Sequence, residues 1–577
     1  MDRISSVSLR AAKRRSNLQF VRWGLLRAHL PWRAVPGKIA LAMTIVFLAA
    51  CTSVTIPRVD DTPASTPAPL ATKSVPTQIP SMPTPDLPEG GAIAIGVVAN
   101  ANLEMNVMPV FLQDAIFDSL LQVDPTNGSL QPSLAMTYTV SSDAATFTFH
   151  LRDDVRWHNG DALTAADVVA TINAFASPNF RGTPITDFGP GMRASAPDNQ
   201  TVQITFSEGY CPTLTSIGTM KILPRAVATS ANFPRLTPAQ MIGTGALKFV
   251  ARNNSDFTLE RNPDYFRGAP HIDSWTLRVY PDSAALRAAF ANQQIDLMPA
   301  ASTEYAAIKN IADAKLIALD ASEFIALLFN ADSIPLNDAR VRQALNYAID
   351  RDALVNDLPG QTRRLDIPAL AGFWASNGNL PRYGFDPAKA KQMLADAGWT
   401  DSGNGVLQKN AKPLKLDLWS EADHPLLEPL AFRLREQFAA VGIQAQMQLN
   451  DRPGWMTRAF QHRFDLLLVS RKIPLDPDQR WYWQANQNEK GNGMNFGSYA
   501  NPRVDALIKD SLRANACAAN ARATAFAEIN RNLLIDAPAA FLLAPKRYWL
   551  ARDRVLGFAP SSFAGDFWNM HAWGVKP

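Results

Sequence analysis

Residues 134–175 read LAMTYTVSSDAATFTFHLRDDVRWHNGDALTAADVVATINAF. Inside this stretch TFTFHLRDDVRW, residues 146–157, opens on strict apolar/polar alternation, the pattern of a strand with one buried face. Asn159-Gly160 supplies a turn. Thr164 is an N-cap for the helix ADVVATINAF, with Asp167 at its third helical position to complete a capping box. Strand, turn and capped helix thus follow one another without a spare residue.

The same alternation of elements runs outward in both directions, and marks an α/β chain. Upstream, AIAIGVV at 92–98 reads as a strand. Downstream come the strand SWTLRVY, the helix SAALRAAFANQQ, and a further strand opening at Ile295-Asp296-Leu297. Asn337 or Asp338 caps ARVRQALNYAI, whose Val341, Leu345, Ala348 and Ile349 share a face. Asp386, Pro387 and Gly398 give N-cap, first helical residue and C-terminal stop for AKAKQMLADA. KLDLWS, a helix through FRLREQFAAVGI, then AQMQL and FDLLLVS, predict a parallel βαββ unit.

At 577 residues, with 47% hydrophobic and 19% charged, the chain can bury two or three domains' worth of core. Its net charge of +4 is misleading, because nine of the 56 Lys and Arg but only one of the 52 Asp and Glu lie in residues 1–38. The remaining 47 basic and 51 acidic residues make the rest mildly acidic, which removes the main support for a nucleic-acid partner. After the basic stretch comes the uncharged run IALAMTIVFLAA, then Cys51. Twelve residues rise only about 18 Å as a helix, so a signal-peptide core is expected over a membrane span. Small residues before Cys51 resemble a bacterial lipobox, which implies a signal peptide over 1–50, cleavage before Cys51 and a lipid on its sulfur; a short anchor with an incidental cysteine is the alternative. Residues 52–90 hold nine Pro and eleven Ser or Thr, so 51–90 is expected to be an extended tether reaching on the order of 100 Å. Cys211 and Cys517 fall in different expected domains and are expected to be free, mostly buried thiols, although an exported location permits a disulfide.

In this order the motifs carry a resemblance. Residues 134–175 resemble the most recognisable stretch of the family 5 extracellular solute-binding proteins, the peptide, opine and nickel receptors of ABC importers. IGTGALKFV with LERNPDYF, PLNDARVRQALNYAIDRDALV, FDPAKAKQMLADAGW, YANPRVDALIKDSL and INRNLLIDAPAAFLLAPKRYWLARDRVLGF match later family landmarks. The resemblance implies a two-lobed, periplasmic-binding-protein-like type II fold that closes on its ligand. Lobe I is expected over 91–327 plus 544–577, with an extra subdomain inserted at about 117–241, and lobe II over 328–543. It also implies a lipid-anchored receptor on the outer face of the cytoplasmic membrane that delivers a small molecule or short peptide to ABC permease subunits, as a monomer. A surface sensing or adhesion protein of the same fold is the alternative.

The residues themselves suggest no enzyme: HExxH, GxSxG and GxxxxGK[ST] are all missing. No metal or other cofactor is expected, and His150 and His158 are expected to be hydrogen-bonded structural residues. Ligands of α/β domains bind where strands end, which directs attention to Trp419 after KLDL and to Arg471 and Lys472 after FDLLLVS. Trp481 and Trp483, with Asn495 and Phe496 in the glycine-rich loop behind them, complete the expected ligand-binding set, against a bland reading of the tryptophans as a packed helix start. In peptide-binding relatives a Gly-Trp-like pair and an Asp that holds the peptide's α-ammonium follow the strand matching FDLLLVS. Here that run is Ser470-Arg471-Lys472-Ile473-Pro474-Leu475-Asp476-Pro477, and its Asp-Pro better matches a later family landmark. A free amine has therefore lost its usual partner, and one of Arg471 and Lys472 is expected to face an anionic group. Neighbouring side chains on a strand point to opposite faces, so only one of the two should do so.

Overall fold

The computed structural model describes residues 87–577 apart from 100, 101, 106, 178, 179, 181–188, 377–379, 402 and 514–516. The expected signal peptide, Cys51 and most of the tether lie outside the described residues. Among the described residues, no helix is long and apolar enough to cross a membrane.

Sixteen strands carry the architecture. They are β1 (Ala92–Val98), β2 (Ala135–Val140), β3 (Thr146–Leu151), β4 (Arg193–Ser195), β5 (Thr201–Thr205), β6 (Leu247–Asn253), β7 (Asp256–Arg261) and β8 (Ser274–Tyr280). Then follow β9 (Leu297–Ala301), β10 (Ala314–Asp320), β11 (Glu323–Phe329), β12 (Thr362–Arg364), β13 (Lys415–Glu421), β14 (Gln444–Asn450), β15 (Leu466–Lys472) and β16 (Ala539–Arg552). The helices needed below are α1 (Ala165–Ala176), α2 (Pro212–Gly218), α3 (Ala339–Ala348), α4 (Pro387–Asp396), α5 (Leu427–Ala439), α6 (Arg452–Phe460), α7 (Arg480–Trp483), α8 (Pro502–Ser511) and α9 (Ala519–Asp536).

Twelve strands form one sheet, ordered β14-β13-β15-β11-β16-β9-β1-β8-β7-β6, with β10 and β12 also on β16. The long β16 belongs to both halves. Its Ala539–Leu543 part pairs with β11, and its Arg547–Ala551 part pairs with β9. β10 and β11 run in line along the same strand, β10 opposite Lys546–Arg552 and β11 opposite Ala539–Leu543. The fold is a two-lobed α/β structure that shares this central ribbon. Strands β2, β3, β5 and β4 form a separate four-stranded antiparallel sheet within the first lobe.

Local chemistry explains the helix starts. Thr164 N–H donates to Asp167 Oδ2 at 2.9 Å at the head of α1, Asp338 accepts from Arg340 N–H at 2.9 Å for α3, and Asp386 accepts from Lys389 N–H at 2.8 Å for α4. Beyond α4, Gly398 sits at φ 87°, where a Cβ would be strained. Leu466 to Val469 form an unbroken apolar run because this part of β15 is buried on both faces. Leu466 and Leu468 pack beside Ile325 and Leu327, while Leu467 and Val469 pack beside Phe324 and Phe541.

Two expectations are corrected. The βαββ unit is βαβαβ, because α6 separates β14 from β15; Asp451 caps α6 through Gly454 N–H at 2.9 Å, and Trp455 and Ala459 bury its inner face. With that helix as crossover, β13 runs parallel to both β14 and β15. Nor are the two downstream cysteines free thiols: Cys211 and Cys517 form a disulfide with Cα atoms 5.2 Å apart. Their sequence separation of 306 hid the pairing, since nothing local signals a contact made only by folding.

Candidate functional site

Strand direction sets the place. β13 and β15 are parallel, and they end at Glu421 and Lys472 beside Glu323, the first residue of antiparallel β11. On the other lobe β9 ends with Ala301 opposite Arg547 of β16, and β1 and β8 run parallel to it. Strand ends from both lobes therefore converge on the middle of β16, the position at which α/β sheets bind ligands.

Next to this edge lies a narrow cavity of about 20 Å³, room for little more than one water. Its walls are aromatic: Phe324, Phe373, Tyr482, Trp483 and Phe526, with Pro368, Pro474 and Pro477. Its polar lining is Lys472, Asp478, Gln479 and Asn530. Gln479 Nε2 donates to Asn530 Oδ1 at 3.3 Å. Among the described residues, Gln479 Oε1 and Trp483 Nε1 are buried without a hydrogen-bond partner, although Gln479 is 8% exposed and Trp483 2%. An acceptor and a donor left unpaired at an apolar wall are costly unless something else satisfies them.

The carboxylates beside the cavity are already engaged. Arg522 reaches Asp476 with two bonds of 2.7 Å in a buried bidentate pair. Burial would lower the Arg522 pKa, yet the charge and hydrogen bonds of Asp476 more than offset it and the group is held above its ordinary range. Asp478 accepts from Tyr210 Oη at 3.1 Å and pairs with Arg480 Nε at 3.0 Å; burial pushes its carboxyl up, against the pull of Arg480. Tyr210 belongs to the first lobe, as does Thr215, whose hydroxyl donates to Asp476 at 3.3 Å. A second approach of the lobes joins Trp374 N–H to Asn127 O at 2.8 Å, with Phe373 stacked on Phe563 at 5.8 Å. The cavity is therefore covered by the first lobe from two sides.

Of the seven residues expected to bind ligand, Lys472 and Trp483 line this cavity and the other five do not. Lys472 is exposed and stands opposite Glu323 in the ladder. Trp483 meets Tyr499 and Phe541 edge-on at 6.3 and 6.0 Å. Arg471 is buried instead, its guanidinium over Tyr482 at 4.4 Å and Phe496 at 5.1 Å while it donates to Met494 O at 2.9 Å. Burial pushes it down to about 10, with Tyr482 the opposing influence, and among the described residues it makes no ion pair with a carboxylate. Phe496 packs on Phe460 at 5.1 Å, and the Asn495 amide donates to Gln484 O and Tyr499 O at 3.0 and 2.8 Å. Trp419 is buried under Arg458 at 4.7 Å, and Trp481, 39% exposed, lies under Arg480 at 4.6 Å. Asp476 and Asp478, close in sequence to the basic pair, are held elsewhere, Asp476 by Arg522 and Asp478 by Arg480.

Sequence reasoning missed Phe373, Gln479, Phe526 and Asn530, which come from two loops and one helix and share no local pattern. Among the described residues no group of three or more His, Cys, Asp or Glu is placed to hold a metal ion. His158 accepts from Gly243 N–H at 3.3 Å through Nδ1 and meets Gly245 O at 3.0 Å through Nε2, and burial holds it down to about 4. Neutral and doubly bonded, it ties the inserted subdomain to the glycine turn.

Comparison with known proteins agrees with this architecture. Residues 129–493 match the family model of the bacterial extracellular solute-binding proteins, family 5 Middle, and the chain belongs to that family. It is 24% identical over 508 residues to the oligopeptide-binding protein AppA of Bacillus subtilis, covering 84% of this chain and 92% of AppA. The nickel-binding periplasmic protein of Escherichia coli is 26% identical over 389 residues, 64% of this chain and 72% of that protein. The solved structure of HbpA2 from Haemophilus parasuis superposes with a TM-score of 0.73 at 19% identity, covering 84% of this chain and all of HbpA2, and shares the fold.

Proposed function

We propose that this protein is a lipid-anchored extracytoplasmic receptor of an ABC importer that captures one small solute between its lobes and delivers it to a permease. The observation that carries the binding role is the pair of buried, unpaired polar atoms, Gln479 Oε1 and Trp483 Nε1, on an aromatic cavity at the converging strand ends. The closed space holds little more than a water, so a solute reaches these two atoms and stacks on the rings once the walls part, supplying a donor to the first and an acceptor to the second. The relatives' names, oligopeptide-binding and nickel-binding, belong to the same class of work. The anchor is supported by the lipobox-like residues before Cys51 and the tether after it.

Charge narrows the solute. Asp476 and Asp478 spend their oxygens on Arg522, Arg480 and Tyr210, so a free ammonium finds no open carboxylate there, while Lys472 stands at the wall. A peptide-like molecule without a free amine at this point, or a carboxylate, fits best. Closure turns on two chain crossings: the pairing of β16 with each half favours Ala321-Ser322, between β10 and β11 and a few residues before the expected 327/328 boundary, and Pro545 in β16, beside the expected 543/544 boundary. The protein acts as a monomer in this scheme.

The test is calorimetric titration of the ligand-stripped protein with short peptides, their N-acetylated forms and small dicarboxylates. N-acetylated peptides or carboxylates bind, and Gln479→Ala and Trp483→Phe each weaken binding about tenfold. Wild-type affinity in both variants, with binding confirmed, overturns the site; Cys51→Ser remaining fully membrane-bound at mature length overturns the anchor.

A further inference from the structure

The two lobes are fastened together at a second place, apart in sequence from both strand crossings. Cys211, immediately before α2, is bonded to Cys517, two residues before α9. Around the bond, Cys211 N–H donates to Leu512 O at 2.8 Å, Arg513 Nε donates to Gly209 O at 3.1 Å, and Arg513 pairs with Glu208 at 2.8 Å. Within one turn on either side, Tyr210 and Thr215 reach Asp478 and Asp476, in the stretch that walls the cavity. The disulfide therefore sits in the middle of the patch that covers the cavity from the first lobe.

Its mechanical consequence follows from geometry. A lobe held only by a strand crossing can swing about several axes, and hydrogen bonds and exposed ion pairs at the far contact break and re-form as it does. A disulfide cannot stretch: its Cα atoms stay within about 7 Å of one another. With both links intact, the remaining rigid-body motion is rotation about the line that joins them, and α2 cannot lift away from residues 476–480. We propose that the Cys211–Cys517 disulfide is a covalent strap that keeps α2 over the cavity, and that reduction by a dithiol frees the cover. In that step the dithiol delivers two electrons and two protons to the S–S bond. It becomes a disulfide itself, and Cys211 and Cys517 become thiols.

The proposal uses the cavity identified above, but its test involves no solute, so the two readings fail separately. Hydrogen–deuterium exchange and solution scattering are recorded on the ligand-free full chain as oxidised wild type, as wild type treated with dithiothreitol, and as Cys211→Ser/Cys517→Ser. Cutting the strap speeds amide exchange about tenfold or more in α2 and in residues 476–483, raises the radius of gyration, and leaves β13 and β15 protected. Equal exchange in all three samples overturns the proposal. So does loss of protection throughout both lobes in the reduced wild type and the variant alike, which makes the bond a support of the whole fold. Alkylation of both thiols in the untreated protein overturns it as well.

Discussion

Replacing Arg522 by Ala removes one half of the buried pair that shapes the cavity's loop. Asp476 is 9% exposed and Arg522 4%, and the guanidinium makes both bonds to Asp476, a third to Ser511 O at 3.2 Å, and ring contacts with Trp374 and Phe526 at 5.8 and 5.5 Å. The variant leaves a carboxylate buried with two neutral donors, the Thr215 hydroxyl and the Asp478 N–H, so the expected loss is about 3 to 5 kcal/mol. Most of that cost is the uncompensated charge and not the worth of the pair. Asp476→Asn with Arg522→Met, which removes both charges and keeps the volume, should therefore recover the greater part of it. Urea unfolding followed by tryptophan fluorescence measures both. A loss below about 1 kcal/mol in Arg522→Ala refutes the reasoning, as does a double variant no more stable than the single one.

Two further outcomes concern His158 and the glycine turn it bonds to. The His158 pKa is depressed by burial to about 4, so the unfolded chain binds that proton more tightly. Its contribution is complete above about 6.5 and is lost as pH falls toward 4, by at most about 3 kcal/mol; His158→Gln should flatten that part of the stability–pH curve, and an unchanged slope contradicts the burial. A Cβ on Gly243 would overlap the Ile116 carbonyl, so Gly243→Ala should unfold at markedly lower denaturant concentration or fail to accumulate folded, and a wild-type midpoint contradicts the close packing.

Features written in neighbouring residues were legible. The Thr164–Asp167 capping box, the Asp386-Pro387 helix start and the doubly buried β15 each depend on chemistry within a few positions, and the family motifs are built from such pieces. The alternation of Arg471 and Lys472 was legible for the same reason, because a strand sends neighbours to opposite faces, one buried here and one exposed. What the alternation could not reveal is that Tyr482 and Phe496 enclose the Arg471 guanidinium, since those rings arrive from 11 and 25 residues downstream. Helix α6 opens with Pro453 and Gly454 in its first turn, residues that mask a helical pattern, although proline near a helix start is well tolerated and Asp451 provides the cap. The cavity wall and the disulfide lie beyond any local pattern. Phe373, Gln479 and Phe526 meet only once β11, the 366–376 segment and α9 are packed, and Cys211 meets Cys517 only once the lobes are together.

Native mass spectrometry of the protein purified gently from cells tests the central claim most directly, that a solute occupies the cavity walled by Gln479 and Trp483. One small solute per chain is predicted on the wild type, and it is lost or much reduced in Gln479→Ala purified the same way. The same solute retained at full occupancy in both proteins contradicts the account.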